Sequence, residues 1–215
     1  MKILFCSLSD RPNLSKPMWD HLQEYCEKYS YKCVLESQVL DSKRAPSWSK
    51  ILLLQREMKQ NPDIDVLVWV DDDIIITNKE IDFEKLIEPY HLKNILISED
   101  VVWSPFNCGI LVVNNNKETY DYFTEIYNLG AEMPSKLFGG LWEQDVMVHH
   151  AHCNQQQGKK NHINLVPHNI IQSFYRDHDL PEDKKWKKGH FSAHITGMPL
   201  DRRIKMRDEV LKIII

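Results

Sequence analysis

The sequence predicts an α/β protein with a mostly parallel central sheet flanked by helices. Three observations carry that prediction. Short apolar runs of strand type alternate with segments of helical periodicity along the whole chain. The clearest run, Val66-Leu67-Val68-Trp69-Val70, is apolar without alternation, as a strand covered on both faces requires. Proline, asparagine and aspartate punctuate the boundaries.

In chain order, Ile3 to Cys6 reads as a buried strand, broken by Asp10-Arg11-Pro12-Asn13. Ser15 is placed to cap a helix with Trp19, Leu22 and Cys26 on one face and Pro17 in its first turn. Cys33 to Leu35 is a short strand, and Asp41 to Pro46 a polar loop. Trp48 to Met58 reads as a helix with Trp48, Ile51, Leu52 and Gln55 on one side, ended by Asn61-Pro62-Asp63. After the Val66–Val70 strand come two more, Ile95 to Ile97 and Ile110 to Val113. Asn116 caps a predicted helix from Glu118 to Asn128 that Gly130 is expected to stop. Glu143 to His152 reads as helix, and Ile163 to Val166 as a strand ended by Pro167. The closing Val210-Leu211-Lys212-Ile213-Ile214-Ile215 is too apolar for an exposed tail. It fits either a cut from a longer polypeptide or a docked terminal strand.

Composition narrows the functional classes. The 215 residues suffice for one domain with a real core. With 27 basic and 31 acidic residues the net charge is −4, which argues against a protein built to bind nucleic acid. Five cysteines, an odd number without a CxxC pair, fit a reducing compartment. The N-terminal apolar run is too short for a signal peptide, and no stretch approaches the ~18 apolar residues of a membrane span. A cytoplasmic location is therefore expected, the host cytoplasm for a viral protein.

The strongest chemical signal is the run Asp71-Asp72-Asp73 directly after the buried strand. Ligands of open α/β sheets bind at the carboxyl ends of strands. Side chains alternate on extended backbone, so Asp71 and Asp73 point one way and Asp72 the other. Two converging carboxylates call for a cation, and oxygen ligands suit Mg²⁺ or Mn²⁺. A solvated acidic turn is the plain alternative. The DxD of aspartyl-phosphate phosphatases is another, in which the first Asp is the nucleophile. Ile75 stands where that pattern expects Thr or Val, and the strand is not the chain's first. A non-catalytic sugar-binding module is the third alternative. His149-His150-x-His152 invites a zinc reading, but no ligand of suitable spacing joins it, so a helix surface is expected.

Five blocks occur in one order: Trp48-x-Lys50, Trp69-Val70-Asp71-Asp72-Asp73, Asn107-Cys108-Gly109-Ile110, Trp142-Glu143-Gln144-Asp145 and His194-Ile195-Thr196-Gly197. Over about residues 1 to 200 the chain resembles the galactosyl/xylosyl/mannosyltransferase family of fungal and plant cell-wall enzymes. It is similar to the N-terminal domains of chlorella-virus capsid-glycan glycosyltransferases, and more distantly to the glycogenin-type family. The resemblance implies a GT-A fold in a single domain spanning 1–215, forming the N-terminal part of a longer polypeptide. It implies a nucleoside-diphosphate sugar donor, a UDP-sugar above all, a glycan or glycoprotein acceptor, Mn²⁺ or Mg²⁺, and retention of anomeric configuration.

Carried over residue by residue, Asp71, Asp73 and His194 are the metal ligands, with His190 the rival of His194. Ser7, Leu8, Ser9 and Asp10 form the first-strand loop that holds base and ribose. Lys50, Asn107, Asp71, Asp72 and Gly197 complete the donor site. Glu143 and Gln144 match an acidic-Gln pair beneath the donor sugar, where either can stabilise positive charge at the anomeric carbon. Asp145 is a candidate base or a helix-cap partner. One position departs from the family: Leu200 stands where a diphosphate-gripping Lys is expected, and Arg202 or Arg203 is the substitute. Trp103, Phe106, Phe138 and Trp142 are aromatics that can stack on sugars or pack the core.

Overall fold

The computed structural model describes residues 1–100, 104–133, 142–175 and 180–214. Its elements are β1 (Ile3–Leu8), α1 (Pro12–Tyr29), β2 (Lys32–Glu36), α2 (Ser49–Gln60), β3 (Val66–Val70), β4 (Ile74–Ile76), α3 (Phe83–Ile87), β5 (Ile95–Glu99), β6 (Phe106–Asn114), α4 (Lys117–Glu132), α5 (Glu143–Gln156), β7 (Ile163–Val166), β8 (Ser173–Phe174), β9 (Ser192–His194) and α6 (Leu200–Ile214). A six-stranded sheet has the order β2-β1-β3-β6-β5-β7. β6 runs against both its neighbours, and the other pairings are parallel.

The continuous apolar runs arise because the sheet is covered on both faces. Leu67 and Trp69 join Leu53, Leu54, Phe123 and Met147 on the side of α2, α4 and α5. Val66, Val68 and Val70 join Leu22, Tyr25, Phe83 and Ile87 on the side of α1 and α3. A smaller sheet, β4-β9-β8, lies beyond the end of β3. It packs Ile75, Ala193 and Ile195 against Leu14 and Met18 of α1 and Met206 and Val210 of α6.

Three local expectations are corrected. Helix α1 starts at Pro12 rather than after Ser15, because proline's fixed φ suits the first helical position. The Ser15 hydroxyl instead donates back to Arg11 O at 3.2 Å. Pro17 thus sits inside the helix, beyond the first turn, and cannot donate to Asn13 O. Arg207 of α6 replaces the missing donor: its Nη1 donates to Asn13 O at 2.5 Å and to Leu14 O at 3.1 Å. Gly130 does not stop α4, which continues to Glu132. It is a close-approach glycine, where a Cβ would come within 2.0 Å of Trp48 Cη2. The apolar C-terminal segment is helix, not a docked strand. The Asn116 cap is as expected, its side chain accepting from Thr119 N at 2.8 Å. No helix among the described residues is long and apolar enough to cross a membrane. All five cysteines are free thiols.

Candidate active site

The chain leaves β3 at Val70 and turns at once, with Ile74 N bonding Asp71 O at 3.1 Å. The turn is pinned from two sides. Asp71 N donates to Gly109 O of β6 at 2.8 Å, and Ile195 N donates to Asp73 O at 2.9 Å. The second contact extends the antiparallel β4–β9 ladder, in which Ile74 faces His194. That ladder delivers an imidazole from the far end of the sequence to the acidic turn. Ligand atoms of Asp71, Asp73 and His194 all lie within 4.8 Å of one another, the only such trio among the described residues.

The trio fits a divalent cation. His194 is 1% exposed, and its Nε2 is 3.1 Å from Asp73 Oδ1, yet neither ring nitrogen makes an aligned hydrogen bond. Buried polar atoms are normally satisfied. An imidazole free of aligned hydrogen bonds, converging with two carboxylates, offers the lone pairs a metal needs, although Asp71 Oδ1 also accepts from Trp69 Nε1 at 2.5 Å and Asp73 Oδ2 from Arg203 Nη1. Gly109 makes room for the ring, because a Cβ there would approach His194 Cε1 to 2.6 Å and Gln172 Oε1 to 2.8 Å.

Around the trio opens a cavity of about 650 Å³. Three cations line it, each tied to acid. Lys50 is enclosed, donating to Glu143 Oε1 at 2.7 Å and Cys108 O at 2.8 Å, with Asp71 Oδ1 at 3.1 Å. Burial alone would lower its pKa, but Asp71 and Glu143 outweigh that and raise it above the ordinary lysine value. Arg11 grips Asp72 through Nε at 3.0 Å and through Nη2. Arg203 Nη1 donates to Asp73 Oδ2 at 2.8 Å.

The three aspartates consequently differ. Desolvation, opposed by Lys50, raises the Asp71 carboxyl to about 6. Burial followed by the Asp73 charge raises Asp72, against the pull of Arg11. For Asp73 burial acts upward, but His194 and then Arg203 outweigh it and lower the carboxyl below its ordinary value.

Most of the expected site residues meet at this cavity. Leu8, Ser9, Asp10, Lys50, Asp71, Asp72, Asp73, Asn107, Glu143, Gln144, Asp145, His194 and Gly197 all line it. Two do not. Ser7 is fully buried and its hydroxyl accepts from Trp19 Nε1 at 2.9 Å, because alternation along β1 turns it beneath the sheet. Arg202 is not in the lining, whereas Arg203 is, one residue further around the first turn of α6.

Other roles are refined by contacts. Asp72 points away from the trio and staples the first-strand loop, accepting from Ser9 Oγ at 2.5 Å as well as from Arg11. Gln144 Oε1, the oxygen expected beneath the sugar, accepts from Cys108 N at 2.8 Å. The Asp145 carboxylate accepts from Trp142 N at 3.3 Å, the helix-cap arrangement, and burial raises its pKa. Glu143 Oε2 is buried and makes no hydrogen bond.

Trp142, 50% exposed, lines the cavity, while Phe106 is core. Trp103 and Phe138 lie outside the described residues. His149 contacts Cys153, His150 contacts Glu125 and His152 contacts Gln156, so these histidines do not converge. His190 is held by Ser173 Oγ at 2.9 Å, away from the trio. Among the residues that shape the site, Arg11, which lines the cavity, and Gln172, which braces its wall through Asn107, are not singled out by the sequence. Arg11 follows the expected Ser7–Asp10 loop by one position. Gln172 carries no local signal; it bonds Ile110 N at 3.1 Å and Asn107 Oδ1 at 3.0 Å.

A three-layered α/β domain with an acidic turn and a distant histidine at the end of its central strand has the GT-A, nucleotide-diphospho-sugar transferase architecture. Residues 7–129 match the model of the galactosyl transferase GMA12/MNN10 family, and the chain belongs to that family. It is 23% identical over 148 residues to galactomannan galactosyltransferase 1 of Cyamopsis tetragonoloba, covering 62% of this chain and 34% of the relative. It is 26% identical over 105 residues to xyloglucan 6-xylosyltransferase 2 of Arabidopsis thaliana, covering 46% and 22% respectively. The chain thus spans about a third or less of the length of these two relatives. Its fold is that of a glycosyltransferase involved in the glycosylation of the major capsid of PBCV-1, with TM-score 0.77, 17% identity, 97% of this chain and 100% of that one covered.

Proposed function

We propose that this chain is a single metal-dependent, retaining glycosyltransferase domain that moves a hexose-type sugar from a UDP-sugar to a glycan acceptor. The observation that carries the reading is the convergence of Asp71, Asp73 and His194 on one cavity. These three residues would hold Mn²⁺ or Mg²⁺. The metal would supply charge stabilisation for the departing diphosphate.

The chain's own groups prepare the rest. Lys50 holds Asp71 and Glu143 in register. The loop from Leu8 to Asp10, stapled by Asp72, forms the wall suited to base and ribose. Asn107, Gln144 and the unbonded Glu143 Oε2 offer polar contacts to a donor sugar. Exposed Trp142 offers an aromatic face to a sugar at the rim. The names of the relatives, a galactomannan and a xyloglucan transferase, support a glycan acceptor.

Retention is supported by the state of two of the acids that line the cavity. An inverting enzyme needs a carboxylate poised to deprotonate the acceptor. Here Glu143 is tied to Lys50 and Asp145 to the Trp142 amide. A retaining transfer lets the departing diphosphate oxygen take that proton.

Calorimetric titration of UDP tests the reading. Affinity should require Mn²⁺ and fall sharply in EDTA, and Asp73→Asn should lose the metal dependence while staying folded. Equal UDP affinity in EDTA and Mn²⁺ would sink the metal-dependent reading. Proton NMR of the first-formed product, before mutarotation, tests retention.

A further inference from the structure

We infer that Gln172 is a positioning residue for the donor sugar: it holds the Asn107 carboxamide by its oxygen and leaves the Asn107 NH₂ as the donor offered to a sugar oxygen. The inference rests on the sugar-transfer reading above and adds to it a residue from outside the five sequence blocks. Strand β6 bulges where it passes the cavity, its pairing with β5 jumping from Ile97 opposite Leu111 to Ser98 opposite Asn107. Cys108, Gly109 and Ile110 therefore have no partner on β5. Three side-chain carboxamides take their amides instead. Cys108 N donates to Gln144 Oε1 at 2.8 Å, Gly109 N to Asn107 Oδ1 at 2.9 Å and Ile110 N to Gln172 Oε1 at 3.1 Å.

Chemistry then fixes which end of each carboxamide is which. A backbone N–H only donates, so the Gln172 atom facing Ile110 is its oxygen and the other end is NH₂. That Nε2 donates to Asn107 Oδ1 at 3.0 Å, the same oxygen that Gly109 N reaches. The two contacts independently make oxygen the strand-side end of Asn107. Asn107 lines the cavity, and the polar group it has left to offer there is its NH₂. Gln172 is 0% exposed, and burying a carboxamide is unfavourable unless both ends are bonded, as here. Its main chain is fixed as well. Asn169, with a left-handed φ of 74°, donates from N to Gln172 O at 3.1 Å, and Ser192 Oγ donates to Ile171 O at 2.8 Å. A rigidly held NH₂ reads an oxygen lone pair at one place on the sugar, and a sugar lacking that oxygen leaves the donor unpaired.

Calorimetry in saturating Mn²⁺ would compare UDP with whichever of UDP-galactose, UDP-glucose and UDP-xylose wild type binds most tightly, with thermal melts to follow folding. UDP carries no sugar, so Gln172→Met and Gln172→Glu should bind it within about 2-fold of wild type, yet bind the UDP-sugar about 5- to 10-fold more weakly, the loss of one oriented hydrogen bond. Gln172→Met removes both bonds, and the stranded Ile110 N–H should lower Tm. Gln172→Glu keeps an oxygen for Ile110 N, removes the donor to Asn107 and carries the test if the Met variant does not fold. Asn107→Asp keeps the oxygen that Gly109 and Gln172 reach, so it should fold as wild type and still lose sugar affinity for want of an N–H. A lowered Tm with an unchanged ratio of UDP-sugar to UDP affinity in the Gln172 variants would make Gln172 a structural brace alone and overturn the inference. An unchanged ratio in Asn107→Asp would overturn it too. Wild-type protein that binds none of the UDP-sugars in Mn²⁺ would instead overturn the functional reading itself.

Discussion

Gly109 and His194 are in such close contact that a single Cβ on the glycine would lie 2.6 Å from the imidazole Cε1 and 2.8 Å from Nδ1. The glycine is therefore a spatial requirement of the Asp71–Asp73–His194 trio, acting from a strand that contributes none of the three. Gly109→Ala should push the ring from Asp73 and weaken Mn²⁺ binding roughly 10- to 100-fold, as loss of a ligand-orienting partner does. His194→Ala should do at least as much, and His149→Ala nothing. Calorimetry with Mn²⁺ decides. Full affinity in Gly109→Ala would mean the ring has room that the packing denies it.

Lys50 binds two acids in near-complete enclosure, its side chain 3% exposed and that of Glu143 4%. Lys50→Met leaves Glu143 and Asp71 without their shared cation. The expected loss is about 3–5 kcal/mol in urea-unfolding free energy. A Lys50→Met/Glu143→Leu double variant should recover part of it, because the fully enclosed Glu143 charge is then gone and only the partly exposed Asp71 lacks its cation. A double variant as unstable as the single one would contradict the pairing.

Gln144 has a structural and a chemical side that substitution can separate. Gln144→Ala removes the acceptor of the Cys108 amide and should cost about 1 kcal/mol of stability. It should also lower kcat about 100-fold with KM nearly unchanged, the pattern of a contact made in the transition state. Gln144→Glu keeps an oxygen for the Cys108 N–H, so its stability should stay near wild type while kcat changes. Steady-state kinetics and thermal melts together check both sides.

The Asp71 carboxyl, raised by desolvation to about 6, makes metal binding pH-dependent. A carboxyl whose folded pKa lies above the unfolded value stabilises the metal-free fold on acidification, and that contribution is lost as pH rises through about 6. A bound metal needs the ionised form, so its stabilising effect grows over the same interval. The rise in Tm caused by saturating Mn²⁺ should be larger at pH 7 than at pH 5. An equal rise at both would show that Asp71 is not a ligand.

What the sequence determined by itself was local. Continuous apolar character from Val66 to Val70 required a strand buried on both faces, and strand alternation required Asp71 and Asp73 to diverge from Asp72. Both follow from the period of an extended chain. The remaining assignments depend on contacts between distant segments. Strand β9 has three residues and no periodicity to read, and it exists because β4 pairs with it; that pairing chose His194 over His190. Gly130 looked like a helix stop because its neighbour across space, Trp48, is invisible along the chain. The exit angle from Gly197 put Arg203 rather than Arg202 on Asp73, since one residue on a helix is a rotation of about 100°. Gln172 entered the site through bonds to Asn107 and Ile110, groups it meets only once the strands are assembled.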